Sequence, residues 1–179
     1  MSSIDFEDVL AQYQAGERSF IGLTLVKVDG FESDLRGIDL SHSNLDRAYL
    51  PYSNLSQARL QGCSLMAAEL GDAKLFAAIL TQAVLTQANL SRSDLRHGHL
   101  QGADLSGADL SGADLRGADF QGANLCHARL VKANLSQVNF DGADLSGATL
   151  FRAEGAWLGE IRCDRATVFP DGHRNHRSG

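Results

Sequence analysis

The sequence predicts an all-β solenoid, and three regularities with a spacing of five residues indicate it. Every fifth residue from Phe20 to Leu150 gives 27 positions, of which 23 are Leu and three are Phe, with Gly30 as the exception. The residue two places earlier is Ala, Ser, Cys or Gly in 22 of these 27 repeats. The residue two places later is often Gly, which favours a tight turn. We call the central residue i and the others i−2, i−1, i+1 and i+2.

A period of five residues excludes the usual secondary structures. An amphipathic helix repeats its apolar residues about every 3.6 positions, and a half-buried strand repeats them every two. At about 100° per residue, a step of five turns by about 500°, so the leucines would spread around a helix. The repeat therefore indicates a chain that turns a corner in every five residues, with positions i and i−2 pointing inward.

The regular stretch Ala103-Asp104-Leu105-Ser106-Gly107 recurs almost unchanged through Gly122 and resembles the pentapeptide-repeat family, whose pattern is Ala-Asp/Asn-Leu-x-x. Residues 18–152 keep this register throughout. The resemblance implies a right-handed quadrilateral β-helix with four pentapeptides in each square coil, and with i−1, i+1 and i+2 outside. The 27 repeats make 27/4, or about seven, coils. At ~4.8 Å per coil the column would be on the order of 33 Å tall.

Residues 1–17 are predicted to form a short N-terminal helical cap. Phe6, Val9, Leu10 and Tyr13 have the spacing of an amphipathic helix, and Gly16 can end it. The segment 12–20 also resembles the opening of cyanobacterial family members. The β-helix then occupies residues 18–152.

The other irregular places are the first coil and the C-terminal end. Gly30 stands where Leu is expected, while Leu23, Val28 and Ile38 replace small residues. We expect these changes to compensate one another by volume, with Phe31 nearby, and the first coil or two to be locally bent. Residues 153–169 are expected to form a distorted last coil and C-terminal cap, and residues 170–179 a disordered tail. The register resumes there, shifted by three residues, as Ala156-Trp157-Leu158, Ile161-Arg162-Cys163 and Ala166-Thr167-Val168. Trp157 and Phe169 are expected to close the column.

Composition limits the possible functions. The net charge of −6 argues against non-specific binding of nucleic acid or of anionic membranes. The three dispersed cysteines suggest a reducing compartment, and the acidic N-terminus lacks the apolar run of a secretory signal. No stretch of 18 apolar residues is present. We therefore expect a cytoplasmic protein.

No catalytic, cofactor-binding or metal-binding residues are predicted, because every inward position is apolar or small. His97 and His99 flank Gly98, but two histidines alone do not define a metal site. Cys63 and Cys163 fall at inward positions and are expected to be inert, while Cys126 falls outside. The sequence therefore favours a binding surface over an enzyme.

The predicted function is a non-enzymatic scaffold or regulator that presents a rigid surface to a protein partner. Two groups of outward apolar residues are the candidate binding sites. The first group shares one wall and consists of Phe31, Tyr49, Pro51 and Tyr52. The second is spread over three faces of the middle coils and consists of Met66, Phe76, Ile79 and Val84. The resemblance to cyanobacterial members implies a regulatory role, and the protein is expected to be a monomer or a dimer joined through a solenoid end.

An alternative follows from the resemblance, because some family members bind DNA gyrase or other type II topoisomerases by mimicking DNA. Outward positions within residues 18–152 carry 14 acidic and 11 basic residues, an excess of 14 − 11 = 3. A duplex mimic should be more acidic. The acids also follow the repeat pattern, which suggests that they have structural roles.

Overall fold

The computed structural model describes residues 5–155 and 161–174, and most of the chain winds as a column with 20 residues per coil. Parallel single-residue bridges join positions that lie 20 residues apart. One such column contains Ser19, Asp39, Arg59, Ile79, His99, Asp119 and Asn139. Four pentapeptides therefore complete a coil, and the column has four sides. We number the sides by their first central residue: side 1 (Phe20), side 2 (Leu25), side 3 (Gly30) and side 4 (Leu35).

The hydrogen bonds of one repeat explain why its positions differ. The N–H groups of Leu105 and Gly107 donate to the next coil, at 2.7 Å from Asn124 O and 2.9 Å from Cys126 O. The N–H of Asp104 donates to the previous coil, 2.9 Å from Ala83 O. The N–H of Ala108 closes the corner onto Leu105 O at 3.0 Å. Four of the five amides are thus satisfied by the backbone, and the amide of position i+1 is left over.

The core is a column of leucines interleaved with small residues. Leu110 at i and Ala113 at i−2 are both fully buried, which confirms the inward assignment of these positions. Position i+1 is expected to lie outside, but it is half-buried in most repeats. Ser111 illustrates this, since its Oγ is buried without a hydrogen-bond partner among the described residues. A large residue at position 111 is therefore expected to lower the free energy of unfolding.

Every corner of the column uses a left-handed backbone conformation at i+2. All 27 residues at this position, from Gly22 to Arg152, have φ between 52° and 71°. Ten of them are Gly and 17 are not. Glycine adopts this region without steric cost, whereas other residues pay a penalty. The frequent Gly at i+2 is therefore a turn requirement, as the sequence indicated.

This geometry predicts opposite effects for two exchanges at i+2. A Cβ added at Gly107 would meet no atom closer than 3.7 Å, so Gly107→Ala isolates the cost of φ +68°. We expect it to lower the free energy of unfolding by about 1 kcal/mol. Ala67→Gly, at φ 53°, should raise it by about 0.5–1 kcal/mol. Chemical denaturation measures both, and shifts of the same sign would contradict the turn assignment.

Helix α1 (Phe6–Gln14) lies over the first coil. Asp5 caps its N-terminus by accepting a hydrogen bond from the Asp8 N–H at 2.9 Å. Phe6 and Val9 are buried, and the Tyr13 hydroxyl donates to Arg36 O at 2.8 Å. Leu10 and Tyr13 also pack against the core, so all four apolar residues of the sequence pattern face the column.

The missing side chain of Gly30 is compensated by the helix and not by Phe31. A Cβ at Gly30 would lie 2.6 Å from Leu50 Cδ2 and 3.1 Å from Phe6 Cε1. The Phe6 ring therefore fills the space that a central Leu would need. Phe31, which is next to Gly30 in the chain, points outward and is exposed.

The C-terminal end continues the column with a shifted register. Arg162 pairs with Asp144 and Val168 with Thr149. The buried residue of the last repeat is Thr167, whose Oγ1 donates to Leu145 O at 3.0 Å. The expected frame Ala166-Thr167-Val168 places Ala166 at the inward position i−2, so it is off by one residue.

The extra residue is accommodated by Asp164. Its Oδ1 accepts hydrogen bonds from the N–H groups of Gly147, Ala166 and Thr167 at 2.8–3.1 Å. These bonds lower the pKa of Asp164, the one from Gly147 having the largest effect. The side chain thereby ties the widened corner to the coil below.

Residues 170–174 belong to the segment for which the sequence predicts a disordered tail. Pro170, Asp171 and Gly172 form a turn that brings Arg174 back beside Val168 in an antiparallel bridge. Phe169, one of the two residues expected to close the column, is half-buried. The other, Trp157, and the tail beyond residue 174 lie outside the described residues.

Candidate partner-binding surface

Three aromatic side chains form one contiguous exposed cluster on side 3 of the first two coils. The Phe31 and Tyr49 rings are stacked with centroids 6.1 Å apart, and Tyr52 meets Phe31 edge-on at 5.8 Å. The exposed fractions are 46% for Phe31, 46% for Tyr49 and 54% for Tyr52. Pro51 lies between the tyrosines and is half-buried. We call Phe31, Tyr49, Pro51 and Tyr52 the aromatic wall.

The repeat backbone explains how a tyrosine can stand at position 49. Between residues 29 and 144, all 15 Asp and Asn residues at i−1 accept a hydrogen bond from the leftover N–H of i+1. Tyr49 cannot do this, but its i+1 residue is Pro51, which has no N–H to satisfy. The pair Tyr49–Pro51 therefore replaces the usual polar pair at no hydrogen-bonding cost.

Charged residues of opposite sign line the two corners of the aromatic wall. Lys27 and Arg47 stand at the corner that leads into side 3, and Glu32 and Asp72 at the corner that leaves it. Asp72 is paired with Arg92 at 2.9 Å, and hydrogen bonds from Arg92 and, less strongly, from Tyr52 lower its pKa. The wall is thus an apolar strip with a basic edge and an acidic edge.

The second group of candidate residues does not form one surface. Met66 and Val84 lie together on side 2, where they are 45% and 37% exposed. Phe76 lies on side 4 and is half-buried beneath Arg96 and His97. Ile79 is half-buried on side 1. Only Met66 and Val84 are therefore available as a pair.

Exposed apolar residues also occur where the sequence reasoning did not select them. Ile21 and Val26 are the i+1 residues of sides 1 and 2 in the first coil, and Phe31 is that of side 3. Apolar exposure thus continues around three sides at the N-terminal end. Phe151 is exposed at the other end, beside Gly172. Ile21 and Val26 could have been found from the sequence, because they and Phe31 are apolar residues at successive i+1 positions of one coil.

Aspartates on the column surface mainly serve the fold. Their Oδ1 atoms satisfy the i+1 amides, and several of their carboxylates also pair with arginine. Arg96 Nη2 donates to Asp94 Oδ2 at 2.8 Å, and Arg116 Nη2 donates to Asp114 Oδ2 at 2.6 Å. These hydrogen bonds lower the pKa of Asp94 and of Asp114. Arg129 lies 3.7 Å from Asp109. These carboxylates have local structural partners whatever else they contact.

The amide-capping role makes Asp104 a direct test of this assignment. Asp104→Ala leaves the Ser106 N–H, now 3.0 Å from Asp104 Oδ1, without its acceptor. We expect a loss of about 1 kcal/mol in the free energy of unfolding. Asp104→Asn keeps an acceptor oxygen and should cost much less. Thermal or chemical denaturation checks the pair, and equal losses for Ala and Asn would show that the charge is what matters.

Cys63 and Cys126 are not activated nucleophiles. Burial raises the pKa of the Cys63 thiol to about 11, and its Sγ donates to Leu40 O at 2.8 Å. Cys126 is half-buried, and burial, followed by the neighbouring Asp144, raises its pKa as well. Both thiols are therefore protonated at neutral pH.

A shallow groove of about 410 Å³ runs along side 2. It is lined by Met66, Thr86, Gln87, Ser106, Gly107, Cys126 and His127. Among these side chains, no thiol is activated by a neighbouring base to act as a nucleophile. Among residues 5–155 and 161–174, no group of three or more His, Cys, Asp and Glu is arranged to hold a metal ion. None of the helices in the same ranges has the length and apolar character needed to cross a bilayer.

Comparison with known proteins identifies the repeat. The family model for pentapeptide repeats matches in eight copies, over residues 31–65, 68–107, 88–125 and 118–154. No match was found among curated protein sequences.

Three similar solved structures are pentapeptide-repeat or resistance proteins. HetL, a pentapeptide-repeat protein involved in heterocyst differentiation regulation from the cyanobacterium Nostoc sp. strain PCC 7120, is 28% identical over 96% of this chain and 100% of its own, with a TM-score of 0.37. Trypsin-treated QnrB1, a plasmid-mediated fluoroquinolone resistance protein, is 19% identical over 83% and 87%, with a TM-score of 0.47. Rfr23 from the cyanobacterium Cyanothece 51142 is 22% identical over 91% and 99%, with a TM-score of 0.28. On the match to the family model, the chain belongs to the pentapeptide-repeat family, whose fold is a right-handed quadrilateral β-helix.

Proposed function

We propose that this chain is a non-enzymatic scaffold or regulator that presents the aromatic wall to a protein partner. The observation that carries the proposal is the contiguous exposure of Phe31, Tyr49 and Tyr52 on one side of the column. Aromatic residues are enriched at the centres of protein interfaces and often supply most of their binding energy.

The architecture supports this role through rigidity. The wall stands on backbone that is hydrogen-bonded to the adjoining coils, with the Tyr49 N–H 2.8 Å from Val28 O and the Gly30 N–H 2.8 Å from Tyr49 O. Its rings also contact one another, which restricts their rotation. Little ordering entropy is therefore lost when a partner docks there.

The test is partner capture by the variant Tyr49→Ser/Tyr52→Ser. Anchors of this type contribute about 2 kcal/mol or more each, so the loss of both should weaken partner binding by about 4 kcal/mol, or roughly 1,000-fold. Because both side chains lie outside the core, its melting temperature should change little. Capture from a lysate at matched protein concentration, followed by titration of the recovered partner, measures the effect.

The matched control is Met66→Ser/Val84→Ser, which removes two exposed apolar side chains from side 2. We expect this control to retain the partner. If it loses the partner while the tyrosine variant keeps it, the binding surface lies on side 2 and the proposal is wrong.

The topoisomerase-binding alternative has one supporting observation. In a single coil, Asp104, Asp109, Asp114 and Asp119 occupy position i−1 on all four sides. Changing all four to Asn removes the charges but retains the amide caps. We expect neither the natural protein nor this variant to affect DNA gyrase in a supercoiling assay. Inhibition by the natural protein that the Asn variant lacks would favour DNA mimicry.

A further inference from the structure

The chemistry of the two corners of the aromatic wall suggests which partner it binds. Resting on the proposed function, we propose that the partner is a second copy of this chain. The two columns would pack side by side and parallel through side 3, about a two-fold axis that runs along the columns. This arrangement differs from a dimer joined end to end.

Three of the four charges that flank the wall form no salt bridge among the residues that the structure describes. Lys27, Glu32 and Arg47 are exposed, and none of them takes part in a salt bridge within residues 5–155 and 161–174. Higher on the same side, by contrast, the acids Asp72 and Asp109 are paired with Arg92 and Arg129. Uncompensated charges on both edges of an exposed apolar strip indicate a complementary surface.

Each coil presents its residues across side 3 in a fixed order. The first coil runs from Lys27 at one corner to Glu32 at the other. The second coil runs from Arg47 to Tyr52, with Tyr49 and Pro51 between them. The basic residues therefore stand at one edge of the side, and the acidic and aromatic corner residues at the opposite edge.

A two-fold axis along the column places opposite edges of the two copies together at the same height. Lys27 then faces Glu32 of the partner subunit, and Glu32 faces the partner's Lys27. In the next coil Arg47 faces the partner's Tyr52, which suits a cation–π contact. An axis across the column would instead bring like edges together, with basic edge facing basic edge. Charge complementarity thus selects the parallel arrangement.

In the second coil, the middle of the side is also self-complementary in the parallel arrangement. Position i−1 of one copy faces i+1 of the other, so Tyr49 meets the partner's Pro51, and the exchange occurs twice. Aromatic, proline and charged contacts therefore recur in symmetric pairs, as an isologous interface requires.

The contact area sets the expected strength. The wall and its corners span three coils, or roughly 15 Å of column height. Such a patch lies at the small end of specific protein interfaces, so the dimer should be weak and dependent on concentration.

Sedimentation of two charge-reversal variants tests the proposal. Lys27→Glu and Glu32→Lys each place like charges opposite one another twice in the parallel dimer. Each variant alone should therefore remain a monomer at concentrations where the natural protein associates. An equimolar mixture of the two variants places Glu opposite Lys at both contacts and should form a heterodimer. Circular dichroism confirms that both variants stay folded.

Three results would overturn the proposal: a natural protein that stays monomeric throughout, single variants that associate as the natural protein does, or a mixture that stays monomeric. These outcomes are separable from a failure of the proposed function. A monomeric protein whose capture of another protein depends on Tyr49 and Tyr52 keeps the aromatic wall as a binding site and rejects only the second copy. If Tyr49→Ser/Tyr52→Ser associates as the natural protein does, the aromatic wall is not the docking surface.

Discussion

Leu110→Asp is expected to unfold the central coils. Leu110 is fully buried at position i on side 3, in the most regular part of the column. A carboxylate at this position would have no charged partner inside a core of Leu and Ala side chains, and burying an unpaired charge is prohibitively costly. Because each coil is hydrogen-bonded to the coils above and below, the damage should spread to the neighbouring coils. Circular dichroism and thermal denaturation measure the loss.

Two further variants show whether the effect comes from burial. Leu110→Ala should lower the free energy of unfolding by about 2–5 kcal/mol through lost burial and a cavity. Lys132→Asp introduces the same acid at an exposed corner of side 3 in the next coil and should change stability little. A soluble Leu110→Asp protein with an unchanged melting temperature would contradict the inward assignment of position i.

Restoring the repeat consensus at Gly30 is expected to destabilise the protein. Leu at this position would collide with Leu50 and with the Phe6 ring, since even a Cβ lies 2.6 Å from Leu50 Cδ2. We expect a cost of about 1–3 kcal/mol or loss of helix α1 from the column. Phe6→Ala, which removes the ring that fills this space, should cost about 3 kcal/mol or more.

The two changes are expected to couple. In Phe6→Ala/Gly30→Leu, the new leucine can occupy space that the ring has left, so the double variant should be less destabilised than the sum of the single variants. Chemical denaturation of the four proteins in this cycle measures the coupling. Strictly additive losses would show that Phe6 and Gly30 do not share one packing site.

Much of the fold follows from the period of the sequence. One inward Leu every five residues and a small residue two places before it fix the register. Gly at i+2 indicates the corner, and the spacing of Phe6, Val9, Leu10 and Tyr13 predicts helix α1. Each of these signals is local, so reading along the chain is enough to find it.

The features that the sequence did not reveal depend on contacts between distant residues. Phe6 replaces the missing side chain of Gly30 from 24 positions away, and no local pattern indicates that. Position i+1 is half-buried because coils stack above and below it. At the C-terminal end, the carboxylate of Asp164 accommodates one extra residue, and this shifts the buried position from Ala166 to Thr167.

The candidate site could be predicted only in part. Assigning positions 49, 51 and 52 to one wall needed no more than the repeat register. The ring contacts of Phe31, and the absence of salt bridges from Lys27, Glu32 and Arg47 to other described residues, required the structure, because side-chain directions at the corners are not encoded in the period. The same holds for Phe76, an outward residue by register that Arg96 and His97 cover.

Site-specific photocrosslinking tests the central claim, that the aromatic wall is the docking surface, most directly. A photoreactive phenylalanine derivative at position 52 reports contacts of the wall, and the same group at Gln82, an exposed corner at the junction of sides 1 and 2, serves as the control. We predict a covalent adduct from position 52 and none from position 82, with an adduct of twice the 19.2 kDa chain mass if the partner is a second copy. Adducts from position 82 with none from position 52 would contradict the account.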